Sequence, residues 1–351
     1  LGYDDEEIET VYFLVKNHLL MEQVAFRRNL NDPETLQNFV SKLSSKESLH
    51  LLYLITYADL SAVNPVLWTT WKSDLLKDLF KKSLRILNDN ITAEELLFNS
   101  SNPTVSDLLK SNLSLSEEDL KEHLDSITDN NYFAQFSTDE IVLHIEEINS
   151  GSQVSVLFNE FENFTNITVI TLDTPFLLSK LCGVLSINDL NIHDAKIFTR
   201  KDGIVIDNFN VTDFRTNKKV DPQKYPQILD SFKMVTSGMV QINSEIKRMK
   251  SKWWRIESKF FKRPGNVSIK FEETEKFTII DVFSPDRLGF LYQVTRKMNE
   301  LGLNIYFAKI ATKGDEIVDS FYVLDRDKKK VSTNYYNFIE VELIDAIRQI
   351  L

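Results

Sequence analysis

Thr168-Val-Ile-Thr-Leu-Asp173 and Asp281-Val-Phe-Ser-Pro-Asp286 decide the fold, because each opens one copy of the same pattern. The first is followed by Asn191-Ile192 and Asp207-Asn-Phe209, the second by Asn304-Ile305 and Asp319-Ser-Phe321. The offset is 113 at the first two landmarks (286 − 173 and 304 − 191) and 112 at the third (319 − 207). Ala195-Lys-Ile197 likewise returns as Ala308-Lys-Ile310. Self-similarity at a fixed period marks a duplicated folding unit. Each copy reads strand, helix, strand, strand, helix, with a closing strand expected after the second helix. In the second copy the strands fall at Phe277 to Phe283, Ile305 to Thr312 and Ile317 to Leu324, with a turn at Lys313-Gly-Asp315. The helices run from about Leu288 to Leu301, stopped by Gly302, and from Tyr335 to Ile350. That order builds a small antiparallel sheet with both helices on one face.

Outward from the repeat, the first third of the chain reads as helices. Val11, Leu14, Val15, His18, Leu19 and Ala25 recur at helical spacing, and a second helix opens at Asn31-Asp-Pro33. Ser48 to Leu60 and Trp68 to Leu79 give two more, and the polar stretch from Asn88 to Leu124 suggests short helices. Ile141 to Ile145 and Val154 to Phe158 fit strands only loosely. The fold class is therefore mixed: an all-α N-terminal part, then two α+β domains of βαββαβ type.

The whole chain has 351 residues, 42% of them hydrophobic, and a net charge of −11 from 41 basic and 52 acidic side chains. That balance argues against nucleic acid and anionic membranes as partners. Ile246 to Arg263 is basic and interleaved with Trp253, Trp254, Phe260 and Phe261, and reads as an amphipathic connecting helix rather than a stacking platform. The lone Cys182 excludes intrachain disulfides and Cys-rich zinc modules, and lies inside a predicted helix as a buried thiol. No apolar run is long enough to cross a bilayer, and the charged, helix-like segment from Leu1 shows no signal-peptide pattern. The expectation is a cytoplasmic protein whose N-terminus lies upstream.

Chemistry has two candidate places. In Ser284-Pro-Asp286-Arg-Leu288-Gly289, a strand end meets a helix start, where unpaired N–H groups favour a carboxylate and a glycine lets a ligand approach. Asp286 either caps the helix or accepts from an ammonium group, and Asn304, with Ile305, opens the next strand as donor and acceptor. Both readings stand at this point, helix capping and amino-acid binding. In the first copy the loop is Asp173-Thr-Pro-Phe176, with Asn191 as its strand residue. A phenylalanine in place of the glycine marks that half-site as degraded or as one that fills the groove itself. The second place is His18 with Asp59, a carboxylate near the end of a very apolar helix that burial would make costly unless paired. His18 alone reads as a satisfied core histidine; taken together the two read as part of a metal site, short of the three or four ligands a hydrolytic centre needs. His123, His144 and His193 lie in unrelated segments and read as surface or packing residues. Phosphate-loop, GxGxxG and HExxH patterns are absent.

The two copies resemble ACT domains, small modules that bind amino acids in regulatory proteins. Upstream, Val15-Lys-Asn-His18-Leu-Leu-Met21, Arg27-Arg-Asn-Leu-Asn-Asp-Pro33, Leu51 to Asp59 and Trp68-Thr-Thr-Trp71 resemble the second half of an HD-type phosphohydrolase domain. This order is similar to the C-terminal part of the bifunctional uridylyltransferase/uridylyl-removing enzymes of the PII signal protein. The resemblance implies half an HD domain at 1–87, a helical connector at 88–150, ACT-like domains at 151–237 and 267–351, and a linker at 238–266. It implies PII as protein partner, UTP and the UMP-tyrosine bond as chemistry, glutamine as effector and a divalent metal, Mg or Mn, in the full-length enzyme. Asp59 and His18 match that metal and catalytic set, whose other ligands precede Leu1, and Asp286, Leu288, Gly289, Asn304 and Ile305 match the amino-acid site. A fragment of this extent is expected to run neither reaction alone. Two other readings stay open: a non-catalytic amino-acid sensor with a helical scaffold and, last, a guanosine-tetraphosphate enzyme, for which 79–135 is too short to hold a synthetase domain.

Overall fold

The computed structural model describes residues 4–63, 68–98, 108, 115–129, 131–249, 266–285, 289–313 and 316–349. They form two compact units: residues up to 98 together with 133–135, and the remainder.

In the first unit, α1 (Asp5–Asn17) is capped reciprocally by Asp4 and Glu7, whose carboxylates accept each other's backbone N–H at 2.8 and 3.0 Å. The single helix expected through His18 breaks in two. Asn17 donates its side-chain amide to the Phe13 carbonyl and the His18 ring contacts the Val15 carbonyl, so side chains take acceptors the helical ladder would use. The chain resumes as α2 (Leu20–Arg27) and then α3 (Pro33–Val40), where Asp32 accepts from the Thr35 N–H and Pro33 fills the first turn. Next come α4 (Lys46–Val63), α5 (Thr70–Asp89) and α6 (Ala93–Phe98). α5 outlasts its predicted end at Leu79 because Ser83 and Ile86 continue its buried stripe until Asn90 turns left-handed. Met21, Ala25, Leu36, Phe39, Leu49, Leu52, Leu76 and Leu79 fill the core.

The second unit begins with α7 (Glu117–Ser126), residues Asn131 and Tyr132 of α8 (Asn131–Gln135) and α9 (Thr138–Asn149), so Ile141 to Ile145 is helix. The first repeat copy then runs β1 (Val154–Glu160), β2 (Thr165–Leu172), α10 (Leu177–Ile187), β3 (Leu190–Thr199), β4 (Ile204–Asp213) and α11 (Tyr225–Thr236). A helical stretch at 242–249, here α12, leads toward the second copy. That copy is β5 (Ser268–Glu273), β6 (Thr278–Pro285), α13 (Phe290–Glu300), β7 (Asn304–Lys313), β8 (Glu316–Leu324) and α14 (Tyr336–Arg348). The fourth strand thus enters ahead of the others rather than closing the module. β1 and β5 form hairpins with β2 and β6 and take the edge positions.

Both copies join one eight-stranded antiparallel sheet in the order β1-β2-β4-β3-β7-β8-β6-β5. The join is a short ladder, Asp194↔Lys309, Ala195↔Ala308 and Lys196↔Phe307, centred on a pair of repeat-equivalent alanines. Helices cover one face, packing side by side as α11, α10, α13 and α14 over a core that includes Val169, Phe209, Val282 and Phe321. The opposite face is buried too and is mixed: apolar in the second copy, where Phe277, Ile279, Phe307, Tyr322 and Leu324 cluster, and partly polar in the first. Asn166, Asn208 and Asn210 exchange side-chain hydrogen bonds, Asn210 donates to Asp194, and Lys309 meets Asp194 at 3.6 Å across the join. The duplication extends to side-chain chemistry. Phe158 stacks on Tyr225 at 4.1 Å and Phe271 on Tyr336 at 4.2 Å, and the hydroxyls of Thr165 and Thr278 accept the N–H of Val220 and Val331.

Candidate functional site

Each module sends its first helix off a loop at the end of its second strand. In the second module that loop follows Pro285, and Asp286 and Leu288 lie outside the described residues. Gly289 caps α13 with φ 77° and ψ 14°, a left-handed conformation that costs other residues strain. In the first module Phe176 holds the same place with φ 64° and ψ 22°. The residue that caps the helix therefore keeps one backbone conformation in both modules although the side chains differ, and a bulky residue kept at positive φ is uncommon.

The registers revise which residues share an end of the sheet. Asn304 pairs with Leu324, whereas the ligand loop follows Pro285, which pairs with Glu316 eight residues away along β8. At about 3.3 Å per residue that is some 26 Å, so Asn304 and Ile305 do not stand opposite Gly289. The same holds in the first module, where Asn191 pairs with Thr212 while Leu172, before the loop, pairs with Ile204. The expectation of a loop and strand start meeting within one module fails because the helix carries the chain back down the sheet before the next strand begins. Antiparallel pairing of β3 with β7 supplies the alternative. It sets the start of each strand at the end where the other module's loop lies. Asn191 shares an end with Gly289, and Asn304 shares an end with Asp173 and Phe176. Asn304 donates to the Asp325 carbonyl at 2.8 Å and Asn191 to the Asn217 side chain at 3.3 Å.

Beneath the seam of α10 and α13 lie repeat-equivalent groups. Cys182 and Thr295 are equivalent by the 113 offset (295 − 182), and both are buried. Burial pushes the Cys182 thiol up, and the carboxylates of Asp207 and Asp319 act in the same direction, so the thiol is inert. Asp207 is 1% exposed with Oδ1 lacking a hydrogen-bond partner. Burial, then Asp173, raises its pKa well above the usual carboxylate range, which keeps it protonated. Asp207 and Asp319 entered the sequence reading only as repeat landmarks; their place on β-branched strands was the signal that they point inward.

The space beside Gly289 is not open. A β-carbon built there would lie 3.1 Å from Cγ2 of Ile246, and one on Gly183 of α10 would lie 2.4 Å from Cγ1 of Ile242. Both isoleucines are buried and both belong to α12. Asn243 between them accepts from the Tyr292 hydroxyl at 2.5 Å and from Arg296 at 3.4 Å, on α13. The rest of the basic aromatic segment, 250–263, lies outside the described residues.

Two histidines read as unrelated meet in one buried network. Arg200 donates to Nδ1 of His123 at 2.9 Å, which leaves the His123 proton on Nε2, 3.0 Å from the Tyr132 oxygen. The Tyr132 hydroxyl then donates to Nδ1 of His144 at 2.7 Å. Desolvation lowers both imidazoles to about 3, helped at His123 by Arg200 and His144. The network ties α7, Tyr132 and α9 to the β3–β4 hairpin, where Tyr132 and Phe136 also pack on Phe198. His193 is half-buried against the Thr212 hydroxyl.

In the helical unit His18 and Asp59 are both exposed, which corrects the expectation of a buried Asp59. Leu49, Leu52 and Thr56 form the buried stripe of α4, and Asp59 continues it only at the helix end. The Thr56 hydroxyl reaches the His18 carbonyl at 3.3 Å, so the two candidates lie on neighbouring stretches. Among the described residues no group of three or more His, Cys, Asp or Glu is placed to hold a metal ion, so these residues alone do not fit a metal centre. Ile8, Val11, Tyr12 and Val15, at i, i+3, i+4 and i+7 on α1, are 54–66% exposed. Leu51, Leu54 and Tyr57 of α4 are exposed as well. No helix among the described residues is long and apolar enough to cross a membrane.

The architecture is a helical region followed by a side-by-side pair of ACT-like modules. No protein-family profile matches the chain, and no solved structure does. Along 333 residues, 93% of its length, it is 32% identical to the bifunctional uridylyltransferase/uridylyl-removing enzyme of Gluconobacter oxydans (strain 621H). Over 334 residues it is 29% identical to the enzyme of that name from Rhodospirillum rubrum and 30% identical to that from Azospirillum brasilense. In each case it spans 35% of the relative's length, and the match falls on the C-terminal part.

Proposed function

We propose that this chain is the C-terminal regulatory region of an enzyme that uridylylates and de-uridylylates a PII-type signal protein, with the module pair sensing glutamine. Similarity over 93% of the chain supports the enzyme class. The observation that carries the sensing reading is the pairing of each left-handed loop with the other module's strand-opening asparagine. A helix N-terminus suits a carboxylate, and an asparagine side chain suits a carboxamide or ammonium group. A ligand held between modules favours one relative placement of them, and a coupling of about 1–3 kcal/mol is typical for such effectors. The helical unit is read as the second half of an HD-type hydrolase domain, with His18 and Asp59 in its site. The exposed stripe of Ile8, Val11, Tyr12 and Val15 suits a helix that packs on further helices in a longer protein. Mg or Mn and the UTP site belong, in this reading, to the longer enzyme, and no hydrolytic step is assigned to the residues described here.

Isothermal titration of residues 1–351 with glutamine, with glutamate as the comparison, tests the reading. Glutamine is expected to bind, and Gly289→Phe to weaken it more than tenfold by filling the loop. Unchanged affinity in that variant would move the site away from α13.

A further inference from the structure

Two of the chain's nine glycines are used by one helix. Gly183 admits Ile242 onto α10 and Gly289 admits Ile246 onto the ligand loop, so α12 lies across the seam of both modules. Its hold is slight. Ile242 and Ile246, one turn apart, are its buried side chains, Asn243 adds hydrogen bonds to α13, and Gln241, Ser244, Lys247 and Arg248 are exposed. Ile246 is a buried apolar side chain lying directly against the backbone of Gly289.

We infer that α12 is a removable plug: Ile246 occupies the space beside Gly289 that an amino-acid effector requires, and binding of the effector displaces residues 242–249 from the seam. The inference rests on the sensing reading above and adds its regulation. The first module needs no such plug, since Phe176 carries its own side chain at the equivalent point. Displacement frees the linker between the modules, which converts occupancy of a small site into release of a long segment. Plugging also lowers apparent affinity, because only the unplugged fraction of molecules binds.

The test uses the full chain, free glutamine, and two variants that loosen the plug without touching the loop, Ile246→Ala and Asn243→Ala. Both are expected to bind glutamine at least fivefold more tightly than the unaltered protein. Deuterium uptake over 242–249 is expected to rise when the unaltered protein is saturated with glutamine. Equal or weaker binding by both variants, or uptake that falls or stays level on saturation, overturns the plug while leaving the sensor intact. Absence of binding by all three proteins overturns the sensing reading itself, and the plug with it. The uptake measurement requires no substitution, so misfolding of a variant does not decide the outcome.

Discussion

The two modules of the sheet were built alike and have diverged at the point where a ligand would sit. Both keep the aromatic stack of Phe158 on Tyr225 and Phe271 on Tyr336, both keep a threonine hydroxyl on the strand that follows, and both hold the loop residue left-handed. Phe176 carries a side chain at the capping position of its helix, whereas the space at Gly289 is filled by Ile246 from the linker. Backbone geometry has thus outlasted the side chain that would justify it, since phenylalanine gains nothing from positive φ. The first module also carries a feature described for it alone, the Arg200 network on its hairpin, while its buried Asp207 has a buried repeat equivalent in Asp319.

The largest difference between the modules should appear on acidification. His123 and His144 have pKa values of about 3 in the fold and the ordinary 6.5 when unfolded. The unfolded chain therefore binds more protons between those values, and stability is intact above pH 6.5 and falls as pH drops toward 3. By pH 5 the loss is about 2–4 kcal/mol, from about 1.4 kcal/mol per pH unit for each imidazole. Hydrogen exchange on β3 and β4 should accelerate accordingly while β6 and β8 lag behind. A His123→Gln/His144→Gln variant should flatten the slope, and equal acceleration in both modules would detach the network from the first.

A smaller effect of opposite sign belongs to Asp207. Its raised pKa means the stabilising contribution is full below about pH 4 and is lost as pH rises toward the folded value. Asp207→Asn should remove that slope, so that protection of β4 in the variant no longer falls as pH rises toward 8. Loss of stability in this variant would mean that the ionised carboxylate is needed. The smallest effect should be the most alike. Double-mutant cycles on Phe158/Tyr225 and Phe271/Tyr336 should each give a coupling of about 0.5–1.5 kcal/mol, read from urea denaturation. Couplings that differ by more than about 0.5 kcal/mol would show that divergence reaches beyond the loop and hairpin.

Much of this fold was legible from the repeat. Thr168 to Asp173 and Asp281 to Asp286 located the central strands, and Gly302 located a helix end, because alternation and turn chemistry are local. The entry of β1 and β5 ahead of the module was not legible, since an edge strand has the same pattern whichever end of the unit supplies it. The site was half legible. The loop residues could be named, but the partner of each loop could not, because the pairing of β3 with β7 depends on two segments more than a hundred residues apart. Ile246 reads only as the start of a connecting helix and Ile242 lies ahead of it, and nothing in their spacing tells a core contact from a plug. Asp59 misled for a similar reason, since an apolar helix is buried only where another element covers it.

The crossed arrangement of loops and asparagines also bears on how the duplication is maintained. A single copy owns two unmatched halves and completes them only against a second copy, in the same chain or in another. In the proposed reading, a substitution that reshapes one strand opening is felt at the sister loop, and deleting either copy removes both proposed sites at once.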